Sequence, residues 1–156
     1  MSKITRVIAR QVYDSRGNPT IEAEVYTKNN SATAICPSGA STGTYEAFEK
    51  RDENNKKFLG KSVYSAIKII NVNISKRLRG QNVHNQEKID ALMINLDGSR
   101  QKKKLGANSI LAVSMAVKKL SAKIHGLPLY KAFYIKKNFK LPFPLINIIN
   151  GGAHAN

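Results

Sequence analysis

The stretch VIARQVYDSRGNPTIEAEV, residues 7–25, decides the fold of this chain. Its first part is rich in β-branched residues, and Ile21-Glu22-Ala23-Glu24-Val25 alternates apolar and acidic side chains with a period of two. Between them, Asp14-Ser15-Arg16-Gly17-Asn18-Pro19 is a dense turn signal. A second turn at Lys28-Asn29-Asn30 leads to a third apolar segment at residues 32–36. Because these connections are short, the sequence predicts a three-stranded antiparallel meander.

The middle of the chain changes to a helical period. Apolar residues recur at spacings of three and four along one predicted helix: Val63, Ile67, Ile70, Ile74 and Leu78. Ser62 is its predicted N-cap, and Gly80 is predicted to end it. A shorter helix is predicted around residues 89–93 and a longer one at residues 110–124. The pattern therefore predicts an α+β fold, in which a helical bundle follows the meander.

The last apolar segment predicts the start of a second domain. Leu141-Pro142-Phe143-Pro144-Leu145-Ile146-Asn147-Ile148-Ile149 is a continuous apolar run bounded by Pro and Gly. Such a run is typical of a strand that is buried on both faces of a parallel sheet. A single parallel strand has no sheet to join. We therefore predict one domain at residues 1–138, with a linker and the first strand of an absent further domain at residues 139–156.

The composition is that of a chain that folds without metal or disulfide support. At 156 residues and 42% hydrophobic content, it can bury roughly 70% of the surface that the unfolded chain exposes. The single cysteine, Cys36, lies in an apolar segment and is predicted to be buried. The sequence has neither a leader pattern nor an apolar stretch of about 20 residues that could span a bilayer. The expected compartment is the cytoplasm.

The charge balance suggests a different function class. Lys and Arg number 26 against 10 Asp and Glu, which gives a net charge of +16. A charge of this size attracts nucleic acid, so the alternative function is a basic binding module for nucleic acid or a surface ligand. The basic clusters are Lys56-Lys57, Lys102-Lys103-Lys104 and Lys136-Lys137, and aromatic residues do not interleave with them in the sequence. We favour a solvated basic surface and expect no specific nucleic-acid partner.

The loop Ser38-Gly39-Ala40-Ser41-Thr42-Gly43 is the strongest candidate for chemistry. Small residues give its backbone freedom to close over a ligand, and the hydroxyl groups supply hard oxygen atoms of the kind that Mg²⁺ binds. Two histidines, His84 and His125, fall in a linker and at a helix end. Capping or solvent exposure is predicted for them rather than catalysis.

Several motifs resemble the enolase family, in the order in which that family carries them. The loop continues into Thr44-Tyr45-Glu46-Ala47-Phe48-Glu49-Lys50-Arg51-Asp52, which resembles the family pattern after its catalytic loop. Asp14-Ser15-Arg16-Gly17-Asn18-Pro19-Thr20 is similar to the first hairpin of the family, and Leu105-Gly106-Ala107-Asn108-Ser109-Ile110-Leu111 to its longest N-domain helix. Asn147-Ile148-Ile149-Asn150-Gly151-Gly152 is similar to the first strand of its barrel. The resemblance covers the whole chain and implies an N-terminal α+β domain followed by the start of a (β/α)8-type barrel.

The resemblance also implies a reaction and a set of roles. Enolases are Mg²⁺-dependent lyases of glycolysis that dehydrate 2-phosphoglycerate to phosphoenolpyruvate, with two Mg²⁺ ions in each active site. By this resemblance Ser41 supplies oxygens to the second Mg²⁺, and His154 closes on the substrate. The general base and the carboxylates that hold the first Mg²⁺ have no counterpart in this chain, so a fragment or truncated product without lyase activity is expected. By the resemblance, enolases are usually dimers whose contacts involve this N-domain, with Arg10 and Glu22 at matching positions that pair with residues of the barrel.

Overall fold

The N-terminal part of the chain forms an antiparallel sheet. The computed structural model describes residues 2–39, 43–53, 57–133 and 139–149. Its strands are β1 Arg6–Tyr13, β2 Pro19–Tyr26 and β3 Ser31–Cys36. They lie in the order β1-β2-β3 with antiparallel pairing, which confirms the predicted meander. The register places Ala23 of β2 opposite Ala9 and Ala34. All three alanines are buried, so the covered face of the sheet presents a shallow apolar surface.

Helices follow the sheet, as the sequence predicts. The described helices are α1 Tyr64–Ile69, α2 Ser75–Leu78, α3 Gln86–Asp97, α4 Ala107–Ile124 and α5 Leu129–Phe133. A π-helical turn, Ile70–Ile74, joins α1 to α2 in one continuous helix. The short α5 is not predicted, because the chain becomes basic and irregular after Tyr130. Within the described residues, no helix combines the length and the apolar character that crossing a bilayer requires.

The hydrophobic core lies between the sheet and the helices. Helix α4 packs against β2 and β3, and α3 packs against α4. Small buried residues on α4, including Ala112 and Ala116, allow the helix to approach the sheet closely. Ile70, Ile74 and Leu78 are fully buried on the helix beside β1. Each such side chain stabilises the fold by about 1.5–3 kcal/mol relative to an exposed position.

The π turn protects the free edge of β1. Asn71 accepts a hydrogen bond from the backbone N–H of Ala9 at 2.7 Å and donates its amide to the Ala9 carbonyl at 3.2 Å. Ser75 accepts from the N–H of Val7 at 3.2 Å. An unpaired strand edge would otherwise offer these groups to another chain. The inserted residue of the π turn therefore serves to bring polar side chains to the sheet edge.

The predicted N-cap of the first helix is wrong. Ser62 is buried and donates its hydroxyl to the Lys57 carbonyl at 3.3 Å. Instead, the Asp52 carboxylate accepts from the N–H groups of Tyr64 at 2.7 Å and Ser65 at 3.1 Å. A full negative charge satisfies the free donors and the positive end of the helix dipole better than a neutral hydroxyl does. Because Asp52 is distant in sequence, a local pattern cannot identify this cap.

The predicted strand at residues 141–149 is not formed. In the described part of the tail, residues 139–149, no residue belongs to a strand or a helix. Leu141 and Phe143 are each 97% exposed, and Leu145 is 100% exposed. The physical reason is that, among the described residues, no strand lies beside this segment to offer backbone partners. Phe139 packs edge-on against Tyr130, with 5.1 Å between the ring centroids.

The two histidines form a pair between the N-terminal end of α3, which His84 precedes, and the C-terminal end of α4, which His125 caps. Their ring centroids are 4.2 Å apart, and His84 Nδ1 lies 2.8 Å from the hydroxyl of Ser121. His125 is exposed at the C-terminal end of α4, as predicted, whereas His84 is half-buried. Burial and the neighbouring imidazole of His125 lower the pKa of His84 below its ordinary value of 6.5.

This lowered pKa predicts a loss of stability in acid. Below about pH 6.5 the unfolded chain takes up a proton at His84 that the folded chain resists, so the free energy of unfolding falls as the pH falls. Urea unfolding between about pH 8 and pH 5 measures this slope. The variant His84→Gln, which keeps polar atoms near Ser121, should lose stability less steeply over the same range. Parallel slopes for the two proteins would contradict the assignment.

Candidate functional site

The candidate site lies where the loop leaves the sheet. Of the loop residues predicted to bind substrate, Ser38, Gly39 and Gly43 are described by the structure. Ala40, Ser41 and Thr42 lie outside the described residues, and so does His154. The structure therefore places both ends of the loop. The predicted metal ligand Ser41 and the predicted substrate-closing residue His154 remain predictions.

A chain of polar contacts fixes the first residue of the loop. Ser38 donates its hydroxyl to Glu49 Oε2 at 3.0 Å, and the other carboxylate oxygen of Glu49 accepts from Arg51 at 2.8 Å. Arg51 also donates to the carbonyls of Pro19 at 3.0 Å and Lys61 at 2.5 Å. One guanidinium thus connects the loop, the β1–β2 hairpin and the segment before α1. This use of several donors in a fixed planar arrangement is a property that lysine does not share.

The β1–β2 turn forms a second wall of the site. Asp14 accepts from the backbone N–H groups of Arg16 at 2.9 Å and Asn18 at 2.8 Å. The hydrogen bond from Asn18 is the main reason that the pKa of Asp14 is below its ordinary value. Lys61 donates its amine to the Asn18 side-chain oxygen at 3.0 Å. The predicted turn is therefore also the part of the hairpin that faces the loop.

These walls enclose an open cavity of about 330 Å³. Its lining residues are Asp14, Arg16, Asn18, Ser38, Gly39, Glu49, Arg51 and Lys61. Three cationic side chains face two carboxylates, so the cavity suits an anionic group or a charged loop that closes on it. The sequence reasoning missed Glu49 and Arg51 as site residues. The available signal was the run of charges Glu49-Lys50-Arg51-Asp52 directly after the loop.

Cys36 precedes the loop and is not a reactive group. It is 5% exposed, which confirms the predicted burial. Burial, and secondarily the negative charge of Glu49, raises the pKa of its thiol to about 11. A thiol that stays protonated at neutral pH is a poor nucleophile and a poor metal ligand. Cys36 therefore has a structural role, as a buried side chain at the end of β3 before the loop.

The described residues do not form a metal cage. In residues 2–39, 43–53, 57–133 and 139–149, no group of three or more His, Cys, Asp or Glu side chains is placed to hold an ion. Glu49, whose carboxylate contacts Ser38 of the loop, is already paired with Arg51. The contacts of Glu49 and Arg51 give the loop a fixed attachment to the rest of the domain.

Comparison with known proteins identifies the domain. Residues 4–133 match the family described as "Enolase, N-terminal domain". The chain is 71% identical over 156 residues to the Enolase of Pelagibacter ubique (strain HTCC1062), covering 100% of this chain and 37% of that protein. It is 51% identical over 153 residues to the Enolase of Methanosarcina acetivorans, covering 98% of this chain and 36% of that protein. The chain thus spans little more than a third of these relatives, and neither match favours a basic binding module.

Proposed function

Since this chain belongs to the enolase family, we propose that it supplies the N-terminal part of a lyase that dehydrates 2-phosphoglycerate to phosphoenolpyruvate. The observation that carries this proposal is the 71% identity to an Enolase across all 156 residues. Glycolysis is the process in which this reaction belongs. We propose the cytoplasm as the compartment.

The loop at residues 38–43 is proposed to close on the substrate. Ser41 contributes oxygens to the second of two Mg²⁺ ions, and the loop shuts water out of the site. The link from Arg51 through Glu49 to Ser38 supports this role, because it fixes the start of the loop and leaves small residues beyond it. His154 is proposed to approach the substrate from the other end of the chain, assisting the leaving hydroxyl or holding the phosphate.

The remaining catalytic groups are proposed to come from the part of the relatives that this chain does not cover. They are a Lys base that takes the α-proton, acidic Glu residues and the carboxylates of the first Mg²⁺ site. When bound, Mg²⁺ would supply electrostatic stabilisation of the negative charge that develops on the substrate. The described residues hold no such cage, so the 156-residue polypeptide is proposed to be inactive alone.

A homodimer is proposed on the outer face of the sheet. Arg10 contacts Glu22 through Nε and Oε1 at 2.9 Å, and its other nitrogen contacts Glu24. The Arg10 side chain is 50% exposed, so this pair can be reached by a second subunit. Exposed ion pairs contribute at most about 1 kcal/mol. Arg10 can therefore leave Glu22 and contact a partner subunit at a small cost in free energy.

The proposed function is tested by supplying the uncovered part. Joined to that part of the Pelagibacter enolase, the chain is expected to convert 2-phosphoglycerate to phosphoenolpyruvate in the presence of Mg²⁺. The 156-residue polypeptide alone should give no product above a mock preparation, because positioning and charge stabilisation require all the groups together. Phosphoenolpyruvate formation is the measurement. A folded chimera without activity, or turnover by the polypeptide alone, would contradict the proposal.

A further inference from the structure

A second cavity lies beside the segment that follows the loop. It has a volume of about 600 Å³ and lies between residues 44–47 and the connection from α3 to α4. Its lining residues are Thr44, Tyr45, Ala47, Ser99, Arg100, Gln101 and Lys103. None of these residues has a role in the proposed dehydration. The cavity contains no acidic lining residue, and two of its side chains are cationic.

The connection that carries these cations is held firmly. Asp97 is fully buried and accepts from the backbone N–H groups of Leu105 at 2.7 Å and Ser99 at 2.9 Å. Burial raises the pKa of Asp97, but the hydrogen bonds from Leu105 and Ser99 outweigh this effect and lower the pKa below its ordinary value. The carboxylate therefore stays charged. The N–H of Phe48 donates to the Gln101 carbonyl at 2.7 Å. This bond ties the connection to the opposite wall of the cavity.

The two cations at the cavity have no acidic partner in the structure. In the described part of the chain, ion pairs involve Arg10 and Arg51 as the cations. The side chains of Arg100 and Lys103 make no salt bridge or hydrogen bond with any described residue. Unpaired cations at a concave surface are suited to phosphate oxygens, which arginine can bind through two parallel bonds.

An aromatic ring stands at the same cavity. Tyr45 is 97% exposed, which leaves both faces of its ring free in the described structure. In the sequence it is far from the basic run at Arg100–Lys104, so the two features were not connected there. The fold brings them together. A ring beside arginine and lysine is the arrangement by which proteins stack a nucleobase while neutralising its phosphates.

We propose that this cavity binds nucleoside phosphates, with the base stacked on Tyr45 and the phosphates held by Arg100 and Lys103. The ligand is either a free nucleotide or the backbone of a single-stranded nucleic acid, and both present the same chemistry. The net charge of +16 adds long-range attraction for the polymer. The site adds a binding activity to an enolase domain and is independent of the dehydration proposal.

Fluorescence polarisation with two labelled probes tests this site. The probes are ATP and a single-stranded oligodeoxythymidine of about 12 nucleotides, a length within the usual site size. Arg100→Ala combined with Lys103→Ala should weaken binding by about tenfold or more, and Tyr45→Ala by about tenfold. Tyr45→Phe should retain binding, because the ring provides the stacking. Circular dichroism checks that each variant is folded.

Charge-matched substitutions separate the site from general attraction. Lys28→Ala combined with Lys68→Ala removes two exposed cations that do not line the cavity and should change binding by less than about twofold. Binding of both probes indicates a nucleotide site, and binding of the oligomer alone indicates a single-strand site; either result supports the proposal if Tyr45→Ala weakens it. Equal losses in the two double variants, or no binding of either probe at low salt, would overturn it.

Discussion

Replacing Ser41 by alanine is expected to lower kcat for phosphoenolpyruvate formation by about 100-fold in the chimera with the Pelagibacter enolase. Removal of one preorganised group that stabilises developing charge costs roughly 10²–10³ in kcat. The proposed oxygens of Ser41 act on the second Mg²⁺ in the closed complex, so the substitution should affect kcat more than KM. The Mg²⁺ concentration needed for half-maximal activity should also rise. Initial rates measured across both 2-phosphoglycerate and Mg²⁺ concentrations report all three quantities.

A second serine provides the control. Ser65 lies in α1, and its hydroxyl makes no hydrogen bond to a described residue. Ser65→Ala removes the same atom at a distance from the loop and should leave kcat within about twofold, since helix propensity favours alanine. If Ser41→Ala matches it in kcat and in Mg²⁺ dependence, Ser41 has no metal role. Another residue would then have to bind the second Mg²⁺ when the loop closes.

Much of the fold follows from local sequence. Period-two alternation predicts the strands, and spacings of three and four predict the main helices, because each element buries one face. The turn signal at Asp14-Ser15-Arg16-Gly17-Asn18-Pro19 predicts the hairpin, and the structure shows Gly17 there with a φ of +75°. Such patterns record which face is buried. They do not record which distant residue satisfies a polar group.

Several features that sequence reasoning missed depend on contacts between separated segments or on backbone strain. Asp52 caps α1 in place of the predicted Ser62, and Arg51 reaches the loop through Glu49. Phe58 and Leu59 adopt a left-handed turn, with φ of 53° and 55°, that local preference would not select for such residues. Each case pairs residues that are separated in sequence or overrides an intrinsic preference. The loop at residues 38–43 could be predicted from its resemblance to a family motif, because the residues of that motif are contiguous in the sequence.

The tail presents a surface that the rest of the domain does not cover. Ile148 and Ile149 are 89% and 92% exposed, as are nearly all the apolar side chains before them. An extended apolar segment with unpaired backbone groups is a template for pairing with a second chain. At high concentration the polypeptide should therefore self-associate through residues 141–149. The core residues between the sheet and the helices take no part in this association, because they are buried.

Deletion of residues 139–156 is accordingly expected to suppress self-association and leave the domain folded. The ring contact between Phe139 and Tyr130 is the tail's aromatic anchor, and such a pair contributes about 0.5–1.5 kcal/mol. Its loss should lower Tm by no more than a few degrees, about 2–4 °C per kcal/mol at this size. Light scattering across concentrations measures the association, and the full-length variant Leu145→Asp with Ile148→Asp should reproduce the effect of deletion. Hydrogen exchange gives the decisive comparison: in a dilute monomer the tail amides should exchange much faster than those of Val113 and Val117 in α4. Equal protection would mean that the tail is part of the stable domain and that the boundary near residue 138 is wrong.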